Sequence, residues 1–134
     1  MQGYLDWEQY AKGPSGCSAH HQSMETTVKA LSQAHVLLAA DIVYDVKVIA
    51  SLARALRRFL TSHDKVAIFA TTLRNRATFD AFENELLDQG ILCKYVEREI
   101  LERVPYIFPV YHLQPRSDIQ ISFMRLSKEN RKTP

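Results

Sequence analysis

The run VLLAADIVY at residues 36–44 constrains this chain more than any other segment. It is apolar almost throughout instead of alternating apolar with polar residues. That pattern belongs to a strand covered on both faces, as in a parallel sheet. Asp45 follows as an N-cap, and Ile49, Leu52, Leu56, Phe59 and Leu60 then recur at helical spacing. Lys47, Arg54, Arg57 and Arg58 are left for the wet face of that helix.

The same alternation continues downstream. KVAIFATT at residues 65–72 is a second apolar run and the next expected buried strand. Residues 76–89 fit an amphipathic helix with Phe79, Phe82 and Leu86 inward and Gly90 as its C-terminal stop. Residues 91–96 read as a strand, 97–104 as a short helix and 119–125 as a final strand. Pro105, Pro109 and Pro115 keep the stretch between those last two to loop or edge structure. Upstream, Gly13, Pro14, Ser15 and Gly16 make residues 9–23 a loop. A short helix over 24–31 follows, with Ser23 as its N-cap. Residues 128–134 form a polar tail. Strands alternating with amphipathic helices build βαβ units, so the expected class is α/β with a largely parallel sheet and right-handed crossovers.

A length of 134 residues suits one domain, and 46% hydrophobic residues suffice for one core. The net charge of +2 is too small to imply a polyanionic partner. The basic face around Arg54, Arg57 and Arg58 lacks the interleaved aromatics of a nucleic-acid stacking platform, so it reads as solvated. Cys17 and Cys93 are far apart with no C-x-x-C spacing, which suggests neither a disulfide framework nor a zinc site. Cys17, His20 and His21 form C-x-x-H-H, which has no standard zinc geometry. His35, His63 and His112 are scattered with no nucleophile beside them. The opening MQGYLDWEQY has no basic stretch before an apolar core, and no apolar run approaches the ~20 residues of a membrane helix. A soluble protein of the cytoplasm or nucleus is expected, with no membrane contact and no metal.

In open α/β sheets ligands bind beyond the carboxyl ends of the strands. That rule selects Asp41, Tyr44 and Asp45 after the first buried strand, and Thr71, Thr72, Arg74 and Arg76 after the second. It adds Asp6 and Trp7 if YLDW ends a strand. An acid within an apolar run is costly without a partner. Asp41 therefore either caps backbone amides at the strand end or serves a ligand, and its position favours the ligand. Asp45 is assigned to helix capping. Arg74 and Arg76 either touch a ligand or are ordinary solvated loop charges, with the second reading favoured.

These same residues carry a resemblance. LLAADIVYD, residues 37–45, resembles the strand-four motif of seven-stranded S-adenosylmethionine-dependent protein-lysine methyltransferases: small and apolar residues, then Asp-x-x-Tyr. YLDWE at 4–8 resembles the end of the preceding strand, whose Asp-Trp pair lies along the adenine. ATTLRNRATFDAF at 70–82 is similar to strand five and its helix, and its T-x-R-N-x-x-T-F stretch is similar to that of the eukaryotic elongation factor 2 lysine methyltransferases. The likeness covers about residues 4–90; beyond it only the order of elements agrees.

The resemblance implies a Rossmann-like methyltransferase sheet with helices on both faces and S-adenosylmethionine as cofactor. It also implies a protein lysine as substrate, with a translation elongation factor as the suggested target. By the same likeness Asp41 and Tyr44 are the catalytic pair, and Asp6, Trp7, Ala39 and Ala40 bind the cofactor. Each has a plainer reading: Asp6 as a turn residue, Trp7 as core, the alanines as small packing residues. The family's glycine-rich turn after strand one has no counterpart, for the four glycines make no Gly-x-Gly; its acidic residue ending strand two is also missing. The expectation is thus a sheet truncated on its N-terminal side. Residues 1–127 would form the C-terminal part of a methyltransferase domain, binding the cofactor weakly or not at all alone. Either the chain is a fragment or alternative product, or a partner chain supplies the missing strands along the apolar edge of 36–44. The competing expectation is a non-catalytic α/β protein-interaction module.

Overall fold

A computed structural model describes residues 6–12, 21–105 and 118–128. Its elements are α1 (Trp7–Lys12), α2 (His21–Gln33), β1 (Val36–Ala40), α3 (Val46–Phe59), β2 (Val66–Thr72), α4 (Arg76–Asp88), β3 (Ile91–Tyr95), α5 (Arg98–Arg103) and β4 (Ile119–Leu126). The four strands make one sheet in the order β1-β2-β4-β3. β1 runs parallel to β2, while β4 is antiparallel to both β2 and β3. The α/β class is as expected. The largely parallel sheet is not, because two of the three ladders are antiparallel. One reversed strand is the cause: β1, β2 and β3 point the same way, and β4 inserts between β2 and β3.

The helices form for the reasons written in their sequence. Asp45 Oδ1 accepts from the Lys47 amide at 2.9 Å and starts α3. Asn75 Oδ1 accepts from the Ala77 amide at 3.1 Å and starts α4. Each cap satisfies an amide that the first helical turn leaves without a backbone partner. After α4 the chain reverses at Gly90, whose φ of 69° costs a residue without a Cβ nothing. Ile49, Leu52, Leu56 and Phe59 of α3 and Phe79, Phe82 and Leu86 of α4 are buried in one cluster with Ala67, Phe69, Ile91 and Met124. Phe69 and Phe82 stack at 6.1 Å between centroids, and Phe79 meets Phe82 edge-on at 6.3 Å. The core thus lies between one sheet face and the α3–α4 layer.

The opposite face lacks the expected second helical layer among the described residues. By strand register it carries Leu38, Leu92, Phe123 and Arg125, all exposed. β1 also departs from expectation. It spans only Val36–Ala40, ending where Asp41 turns to a φ of 52°. It is an edge strand with Leu38 72% exposed, not a strand covered on both faces.

The N-terminal region differs as well. Trp7–Lys12 is helical, so Trp7 opens a helix; Tyr4 and Leu5, where the expected strand would end, lie outside the described residues. Asp6 caps that helix, its Oδ1 accepting from the amides of Glu8 and Gln9 at 2.9 and 3.2 Å. Arg58 holds α1 against α3, lying 4.5 Å above the Tyr10 ring and donating to the Tyr10 carbonyl. The expected loop over 9–23 therefore holds helix at both ends, and residues 13–20 of it lie outside the described residues. Ser23 is inside α2 and is not its N-cap. The tail from 129 onward lies outside the described residues too. No described helix is long and apolar enough to cross a membrane.

Candidate functional site

A cavity of about 260 Å³ opens where the carboxyl ends of β1 and β2 meet the start of α4. Three short stretches line it: Asp41, Val43 and Tyr44 after β1; Thr71 to Asn75 at the end of β2; and Thr78 and Phe79 from the first turn of α4. Parallel strands β1 and β2 each turn away at the same end of the sheet, which leaves a crevice between their loops.

Asp41 shapes this crevice. Its amide donates to the Ala70 carbonyl at 2.9 Å, extending the β1–β2 ladder by one residue. Its Oδ1 then accepts from the Thr72 amide at 2.9 Å. The left-handed backbone at Asp41 is one that Asp tolerates better than most side chains, because its short polar group can bond locally. Oδ2 lies 3.8 Å from Arg74 Nη2, beyond hydrogen-bond reach. The Thr72 amide, helped by the Thr72 hydroxyl and more weakly by Arg74, holds the Asp41 carboxyl below the usual carboxylate range. At neutral pH the cavity therefore carries a fixed negative charge on its β1 side.

Tyr44 stands 75% exposed at the rim, so its hydroxyl is available to a ligand. On the floor, Thr71 is 2% exposed and its Oγ1 has no hydrogen-bond partner. Gln120, its register partner across the β2–β4 ladder, likewise has Oε1 buried and unpartnered. Buried polar atoms are rarely left so. Arg74 brings a guanidinium to the rim, and no acid occupies the first turn of α4.

The structure thus brings Asp41 and Tyr44 together and adds Arg74, which reads in the sequence as an ordinary loop charge. Arg76 instead donates through Nε to Asp80 at 3.0 Å along its own helix. Asp6, Trp7, Ala39 and Ala40 do not line the cavity. Asp6 is used by α1, and Trp7 packs against the core. Ala39 and Ala40 are successive strand residues and face opposite sides of the sheet, so one ligand cannot lie along both side chains. Thr71 is the residue sequence reasoning undervalued. Its signal was a second polar residue inside an apolar strand. The described residues do not by themselves assemble a cradle for a nucleoside.

Burial, and next the charge of Glu83, push the Cys93 thiol up to about 11, so it stays protonated and unreactive at neutral pH. Among the described residues no three His, Cys, Asp or Glu side chains gather as metal ligands. Cys17, His20 and the His21 side chain lie outside the described residues. No protein-family model matches the sequence, and comparison with curated proteins finds no match.

Proposed function

We propose that this chain is the acceptor side of an S-adenosylmethionine-dependent protein-lysine methyltransferase, with the target amine received between Asp41 and Tyr44. The observation that carries this reading is the cavity itself. An ionised carboxylate and an exposed phenol share one turn at the carboxyl end of β1, where such folds place their ligands.

The residues divide the work as follows. A lysine ammonium, with a reference pKa of about 10.4, docks against the Asp41 carboxylate. Asp41 is held by Thr72, so its oxygens are set before the substrate arrives. The carboxylate favours the charged amine, and loss of its proton needs the opposing effect of desolvation. The cavity is open at Tyr44, so the substrate's own surface must cover it and exclude water. Tyr44 then offers an oxygen that accepts from the amine and fixes its direction.

S-adenosylmethionine would supply the methyl group on an already good leaving group. The described residues do not fit it alone, and no step is assigned to them through it. The open edge of β1 is where strands carrying a glycine-rich turn would add, whether from further sequence or from a partner chain.

A second reading, a non-catalytic α/β interaction module, draws on that same edge. Val36 and Leu38 are exposed on a strand paired on one side only among the described residues.

Labelled methyl transfer separates the two. Lysates of cells expressing the chain joined to strands that carry a glycine-rich turn should place label on lysine side chains of a translation elongation factor. Asp41→Ala and Tyr44→Phe should lower that label by orders of magnitude with little change in melting temperature. Both variants at wild-type rates would remove the site assignment.

A further inference from the structure

The cavity carries charge of both signs. Asp41 provides the negative charge. Arg74 lies beside it in the lining, and the start of the thirteen-residue helix α4 adds the positive end of its dipole, with no acid in its first turn to offset it. Asn75 takes only the Ala77 amide of that turn. Arg74 approaches Asp41 at 3.8 Å, which uses little of a guanidinium with five N–H donors.

A helix start and an arginine are common surface features. Thr71 is not. It is 2% exposed, it lines the same cavity, and its hydroxyl has no partner. A buried hydroxyl that lines a cavity and donates to nothing in the protein is free to donate to a ligand oxygen there.

We infer that the cavity reads a dipolar segment: a lysine whose amine meets Asp41, next to an acidic residue whose carboxylate meets Arg74, Thr71 and the start of α4. This rests on the amine-binding reading above and adds the substrate's sequence preference. Charge-assisted bonds from Arg74 and the helix amides would favour the acid over its amide analogue. The negative Asp41 nearby works against any ligand carrying only the acid.

The test is a nuclear magnetic resonance titration of the full chain with blocked peptides Gly-Lys-Glu, Gly-Lys-Gln and Gly-norleucine-Glu. Gly-Lys-Glu should bind about tenfold tighter than Gly-Lys-Gln, as a charge-assisted bond gives. Arg74→Gln should erase that preference. Thr71→Val should weaken Gly-Lys-Glu binding without lowering the melting temperature, because the hydroxyl it removes bonds to nothing in the fold.

Equal affinity for Gly-Lys-Glu and Gly-Lys-Gln overturns the acid preference and leaves the amine reading standing if both beat norleucine. Equal affinity for the lysine and norleucine peptides overturns the amine reading, and the dipolar proposal with it. No saturable shift with any peptide overturns both. A drop in melting temperature for Thr71→Val would show that its hydroxyl serves the fold and would remove it from the site.

Discussion

Asp41 does two jobs with one carboxylate. Oδ1 ties the turn after β1 to the end of β2 through the Thr72 amide, and the ionised group charges the cavity. The same bond sets its titration. The folded pKa lies below that of an unfolded Asp, about 3.9. The clamp therefore adds stability at and above about pH 4 and loses it as pH falls through the lowered folded value. Because the side chain is half exposed, solvent screening keeps that contribution small. A carboxyl-detected pH titration should find Asp41 titrating more acidic than its peptide value, and Asp41→Asn should remove that part of the acid sensitivity. A normal or raised Asp41 pKa would mean that the Thr72 bond is not kept in solution. Asp41 was legible in the sequence because an acid in an apolar run needs a reason. Its left-handed backbone was not, since that depends on where β1 stops pairing.

The α3–α4 layer was legible nearly residue by residue. Apolar residues at helical spacing, the Asp45 cap of α3 and the Gly90 stop of α4 are local signals that place both helices within a residue or two; the Asn75 cap of α4 comes from the structure. Phe82 shows what that layer contributes. It is fully buried between Phe69 and Phe79, so Phe82→Ala removes a ring from the centre of the core. The expected cost is about 3–5 kcal/mol in chemical denaturation, with the slope of the transition unchanged. A loss under about 1 kcal/mol would mean that the aromatic cluster is loosely packed.

The elements misjudged are those whose fate depends on distant neighbours. An apolar run does not say whether it is central or at an edge, so VLLAADIVY read as doubly covered while β1 leaves Leu38 in solvent. Strand direction is equally silent in the pattern, which is why the reversed β4 was unforeseen. Asp6 caps the helix that Trp7 opens, while Tyr4 and Leu5, where a strand would end, lie outside the described residues.

At the scale of the whole molecule, among the described residues, the sheet has one clothed face and one open one. Leu38 stands in solvent on an edge strand, beside Val36, and exposed apolar edges invite pairing with another chain. The chain alone should therefore self-associate in sedimentation experiments. Leu38→Lys should shift it toward monomer without loss of thermal stability, since Leu38 contributes little to the core. A monodisperse wild-type monomer would show that the edge is tolerated as it stands.

The central claim is that the cavity between β1, β2 and α4 receives an amine. The most direct measurement is a titration of the isotope-labelled chain with a blocked lysine amide, followed at the backbone amides of Asp41, Tyr44 and Thr72. Saturable shifts confined to the cavity are expected, absent with the norleucine analogue and lost in Asp41→Asn while the rest of the spectrum is unchanged. Shifts of equal size with norleucine, or shifts that persist in Asp41→Asn, would contradict it.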